Sequence, residues 1–180
     1  ASRANPLGVS GNPAVIAPAM LHALITLQAA ATIGLVARRL SGGRASALLT
    51  ALLVLATPWV IVTGSLAYNE GAVLALLAAA LLAILTTEIR PATRGVLVGL
   101  LVGAAAGAKP TAVLMGAPAC VLLMAFSMPR RSLIPAGLAA AVVGAGMLAP
   151  WLVRNWIACG NPVFPSLTSI FGTAHWSADQ

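Results

Sequence analysis

Glu70, Lys109 and Arg154 carry the chemistry that this sequence can offer. The chain is 60% hydrophobic and only 7% charged over 180 residues, so each charge set beside a long apolar run is costly. Glu70 lies in Ala67-Tyr68-Asn69-Glu70-Gly71. A carboxylate there can ligate a divalent cation or orient a hydroxyl. It can also serve simply as an acid at a helix N-terminus. Lys109 lies in Gly107-Ala108-Lys109-Pro110-Thr111. An ammonium at a turn into a helix N-terminus suits a phosphate, and a long lysine can equally snorkel to lipid phosphates. Arg154 opens Arg154-Asn155-Trp156 after Pro150-Trp151. A guanidinium grips phosphate in a bidentate fork, or complements a helix C-terminus. His22 and Gln28 fall within the first apolar run, where His22 reads as a hydrogen-bonding residue facing the bundle.

The elements that position these groups follow from composition. A soluble domain carries about a quarter charged residues, far more than this chain. Its solvent is lipid, where only helices and closed barrels satisfy the backbone. Long Ala/Leu/Val runs without alternation predict an all-α polytopic bundle of about six transmembrane helices, near 14–37, 45–67, 71–87, 93–108, 110–127 and 133–153. Proline disfavours helix at the preceding residue, so a break is expected at Lys109. Pro58, Pro118 and Pro150 fall inside apolar runs and predict kinks. Gly95, Gly99, Gly103 and Gly107 recur at every fourth position, a smooth stripe for close helix packing. Cys120 and Cys159 show no disulfide or metal spacing and read as packing residues.

Charge placement gives the expected orientation. Arg38, Arg39, Arg44, Arg90, Arg94, Arg130 and Arg131, seven of the ten cations, fall in alternate connections. The positive-inside rule assigns those connections to the cytoplasm. The N-terminus, Glu70, Lys109 and the tail from Arg154 are then expected outside. This explains the net charge of +7 without a nucleic-acid partner. Trp59, Tyr68, Trp151, Trp156, Phe164, Phe171 and Trp176 map to the outer side, where rings anchor at the interface or line a site for a sugar or lipid head. Two regions are expected: a membrane bundle over 1–153 and an extracytoplasmic loop over 154–180. An exported N-terminus without an initiator Met or signal pattern suggests an internal piece of a longer protein, in the inner (plasma) membrane.

Pro150-Trp151-Leu152-Val153-Arg154-Asn155, followed by Gly160-Asn161-Pro162-Val163-Phe164-Pro165, resembles a signature of bacterial membrane glycosyltransferases of the C-type fold. These are related to protein mannosyltransferases and aminoarabinose transferases. The stretch from Phe171-Gly172 to Trp176-Ser177-Ala178 is similar to the segment that follows in that family, Gly107 to Thr111 to its lysine turn, and Tyr68-Asn69-Glu70 to its acidic loop. The resemblance implies transfer of a sugar from a polyprenyl-phosphate donor to an acceptor hydroxyl. It assigns the donor phosphate to Lys109 and Arg154, and a divalent metal to Glu70. Tyr68, Asn69, Trp151 and Asn155 are expected to contact sugar or acceptor. The family's catalytic Asp belongs to a first outer loop; Asn5 and Asn12 stand here without an acid, so no catalytic residue carries over. A transporter or flippase for a lipid-linked or polar solute, and a non-catalytic membrane scaffold, are the alternatives. Transporter charges gather at the bilayer midplane, often with inverted repeats, and neither pattern is evident here.

Overall fold

The computed structural model describes residues 13–66 and 68–173, and these are almost entirely helical. The helices are α1 (Pro13–Ser41), α2 (Arg44–Ala56), α3 (Pro58–Ser65), α4 (Glu70–Leu85), α5 (Pro91–Ala108), α6 (Thr111–Ser127), α7 (Arg130–Cys159) and the short α8 (Thr168–Phe171). By length and composition α1, α5 and α7 are each long and apolar enough to cross a membrane, and α2 with α3 is a fourth candidate, a broken one. The apolar helices α4 and α6 are shorter, at 16 and 17 residues. Large apolar side chains stand exposed along these helices, among them Leu52, Leu122 and Val142. In water such a surface would be prohibitive, whereas lipid accepts it. Asn5, Asn12 and Trp176 lie outside the described residues.

The chain divides into two compact units, residues 1–82 and 83–180. In the first, α1 ends at Gly42, whose left-handed φ of 76° lets its N–H return to Arg38 O at 2.7 Å. Arg38 and Arg39 therefore belong to the last turn of α1 rather than to a free loop, where cations complement the dipole. The run expected as one span over 45–67 is two helices bent by 68°. Pro58 is the cause: it stands at the first position of α3, and Thr57 before it is extended. Thr26 of α1 is buried, and a Cβ on Gly64 or Gly71 would meet its hydroxyl at 2.7 or 2.8 Å. Two glycines thus bring α3 and the first turn of α4 against α1. His22 is half-buried and faces this packing, whereas Gln28 is exposed.

In the second unit α5 and α7 are parallel neighbours, since successive glycines of α5 meet successively later residues of α7, and α6 connects them. A Cβ on Gly95 would strike Ala136 O, one on Gly99 would reach Ala140 O at 2.5 Å, and one on Gly103 would reach Met147 Cβ at 2.6 Å. Three members of the glycine stripe therefore seat α5 on α7 backbone to backbone. Gly107, the fourth, meets nothing within 4 Å. The helix α7 runs past the expected boundary at 153 and ends at Cys159, capped by Gly160 at φ 70°. Arg154 and Asn155 are therefore helical, because a charge that ends an apolar run does not interrupt backbone hydrogen bonding.

Candidate functional site

The Lys109 turn is built by its proline. Lys109 is extended (φ −152°, ψ 108°), donates its N–H to Ala105 O at 2.9 Å and so closes α5. Pro110 then starts α6, and Ala112 N–H donates to Lys109 O at 2.8 Å. The reversal needs two residues, and the half-buried lysine sits at its apex beside the α6 N-terminus. The expected break is where the sequence placed it.

This turn and the C-terminal end of α7 lie at the same end of the second unit. Between them opens a groove of about 410 Å³. Pro110, Thr111 and Leu114 form one side, Leu148, Trp151 and Leu152 another, and Val163, Ser166 and Leu167 of the segment after α7 complete it. Its walls are mostly apolar, with the hydroxyls of Thr111 and Ser166 among them. Trp151 therefore joins the Lys109 turn in one feature. Arg154 is exposed on α7 and forms no part of the groove wall. Asn155 is half-buried, and its Nδ2 donates to Pro162 O at 3.5 Å, tying the helix to the segment that follows it.

That segment holds a residue that motif reading passed over. Asn161 is fully buried. Its Nδ2 donates to Ser166 O at 2.9 Å and to Gly172 O at 3.5 Å, and its Oδ1 accepts from Val163 N–H at 3.0 Å. The Phe164-Pro165 peptide bond is cis, and Leu167 takes a left-handed φ of 51°. The signal was present in the sequence: an Asn between Gly and Pro is a strong former of side-chain-to-backbone turns. Cys159 donates from Sγ to Asn155 O at 3.1 Å, and both cysteines are free.

The acidic corner belongs to the first unit. Glu70 is half-buried in the first turn of α4, where the helix dipole favours its charge. Tyr68 and Asn69 before it are exposed, and Asn69 O accepts from Val73 N–H at 3.0 Å. Among the described residues no group of three or more His, Cys, Asp or Glu gathers as a metal site. Among the described residues Glu70 would be the sole carboxylate on a divalent cation here, a thin donor set for a dedicated site.

One buried cation lies at the opposite end of the second unit. Arg94 is 6% exposed, and its Nη1 donates to Ile84 O at 3.0 Å. It closes the last turn of α4 from the first turns of α5, so it is not the solvated loop charge expected from its sequence position. Arg130 and Arg131 at the start of α7 are exposed.

Comparison with known families adds one finding. The family model described as dolichyl-phosphate-mannose-protein mannosyltransferase matches residues 7–154. Comparisons with curated proteins and with solved structures gave no match.

Proposed function

Because the chain belongs to the dolichyl-phosphate-mannose-protein mannosyltransferase family, a family of membrane glycosyltransferases, we propose that it forms part of an enzyme moving a sugar from a polyprenyl-phosphate donor to an acceptor hydroxyl at the extracytoplasmic face of the inner membrane. The observation that carries this reading is the groove beside the Lys109 turn. Its apolar walls suit an isoprenoid chain. Pro110 and Thr111 of its lining begin α6 directly after Lys109, and an ammonium next to a helix N-terminus suits a phosphate.

In this reaction the bond between the sugar's anomeric carbon and the phosphate oxygen breaks. A bond from the acceptor oxygen to that carbon forms, and the acceptor hydroxyl's proton leaves to solvent, so the products are the glycoside, the lipid phosphate and one proton. Negative charge collects on the departing lipid phosphate. Lys109 would stabilise that charge where it develops, with Arg154 as the second cation on the same end of the bundle. Trp151 would lie along the lipid-proximal part of the donor. Asn155 would contact the sugar or the acceptor. In the first unit, taken by itself, Tyr68, Asn69 and Glu70 would hydrogen-bond a sugar or acceptor hydroxyl, the carboxylate accepting.

The test is binding of radiolabelled geranylgeranyl phosphate to the full chain in lipid nanodiscs. Lys109→Ala should weaken it by about ten-fold or more, the worth of a charge-assisted hydrogen bond. Unchanged affinity would remove the phosphate role and leave a scaffold as the better account.

A further inference from the structure

We infer that Asn161 is a positioning residue that sets the groove wall and so governs affinity for the lipid chain of the donor rather than for its phosphate. The inference rests on the proposed reading of the groove as a donor site. Three facts carry it. The side chain is completely buried, although asparagine is mostly a surface residue. All three of its hydrogen bonds go to backbone of its own loop, at Val163, Ser166 and Gly172. Two of those residues, Val163 and Ser166, line the groove with Leu167.

The physical consequence is specific. The loop after α7 makes a left-handed turn at Leu167 and a short helix within a dozen residues. Its far part is poorly buried: Leu167, Ile170 and Phe171 are all exposed. Asn161 acts as a post around which it is wound. The amide nitrogen pins the far part of the loop through two carbonyls, and the amide oxygen pins the near part through one N–H. Without the post, Val163, Ser166 and Leu167 lose their fixed distance from Trp151 and Thr111. Lys109 lies in the α5–α6 turn, whose backbone hydrogen bonds, from Lys109 N–H to Ala105 O and from Ala112 N–H to Lys109 O, do not involve Asn161.

Asn161→Asp separates the two halves of the amide. It keeps the acceptor for Val163 N–H and sets a carboxylate against the carbonyls of Ser166 and Gly172. It should therefore be at least as damaging as Asn161→Ala, although it is the closest isostere.

Two phosphates distinguish chain from head: geranylgeranyl phosphate fills the groove, and isopentenyl phosphate reaches its rim. In the full chain in nanodiscs, Asn161→Ala and Asn161→Asp should weaken the long ligand by about ten-fold and leave the short one unchanged. Equal weakening of both, or of neither, overturns the inference. A second measurement is independent of any ligand and of the proposed function. Val163→Cys, in a Cys159→Ala background, should react with maleimide faster once Asn161 is replaced by Ala, and an unchanged rate overturns the positioning role. If the unaltered chain binds neither phosphate, the proposed function fails, and the labelling rate alone decides whether Asn161 holds the wall.

Discussion

At the scale of single residues, Arg94 and Lys109 show how the same kind of charge takes opposite roles. Both stand at the end of an apolar helix, and sequence position alone makes both interfacial. Arg94 is buried and spends its guanidinium on the carbonyl of Ile84, whereas Lys109 sits half-buried at the apex of a reversal. Arg94→Ala should lower stability by about 2 kcal/mol, because it removes a hydrogen bond from a charged group and leaves Ile84 O unmet. Arg90→Ala, at an exposed position nearby, should stay within about 0.5 kcal/mol. Thermal unfolding in detergent micelles measures the difference, and equal effects would deny Arg94 its structural role. The turn at Lys109 was readable because proline acts on its immediate neighbour, a local rule. The burial of Arg94 was not, since it depends on where α4 ends relative to α5. Asn161 lay between: its turn-forming neighbours were visible, but its partners are up to 11 residues away.

At the scale of elements, glycine spacing fixed the packing of α5 but did not say where it stops. The four-residue period predicted one continuous stripe, and Gly95, Gly99 and Gly103 do lie against α7. Gly107 shares their face and meets nothing, because it lies beyond the stretch where α5 touches α7. The contrast is testable. Gly99→Val would drive a side chain into Ala140 O and the Gly144 backbone, and should cost about 1–3 kcal/mol. Gly107→Ala should be neutral or slightly stabilising, since alanine is the better helix former. Chemical unfolding in micelles would rank them, and a Gly107→Ala cost equal to that of Gly99→Val would contradict the observed register. The break at Pro58 was legible as a kink; its size, 68°, was not, because the angle is set by what α3 packs on. The end of α7 was misplaced for a related reason. Apolarity marks where lipid ends, whereas the helix ends where Gly160 turns left-handed.

At the scale of the whole molecule, the membrane class was legible from charge scarcity, since no arrangement of 13 charges could clothe this chain in water, and the all-α class from long apolar runs without alternation. The account depends on the Lys109 groove opening on the extracytoplasmic side, opposite Arg130 and Arg131. Within the second unit α5 and α7 run parallel and carry Lys109 and Arg154 at one end, with the arginine pair at the other. The direct measurement is reaction of single cysteines with a membrane-impermeant maleimide in intact cells, in a background with Cys120→Ala and Cys159→Ala. The account predicts that Lys109→Cys is labelled in intact cells and Arg131→Cys only after permeabilisation. Labelling of Arg131→Cys from outside, with Lys109→Cys reached only from the cytosol, would contradict it.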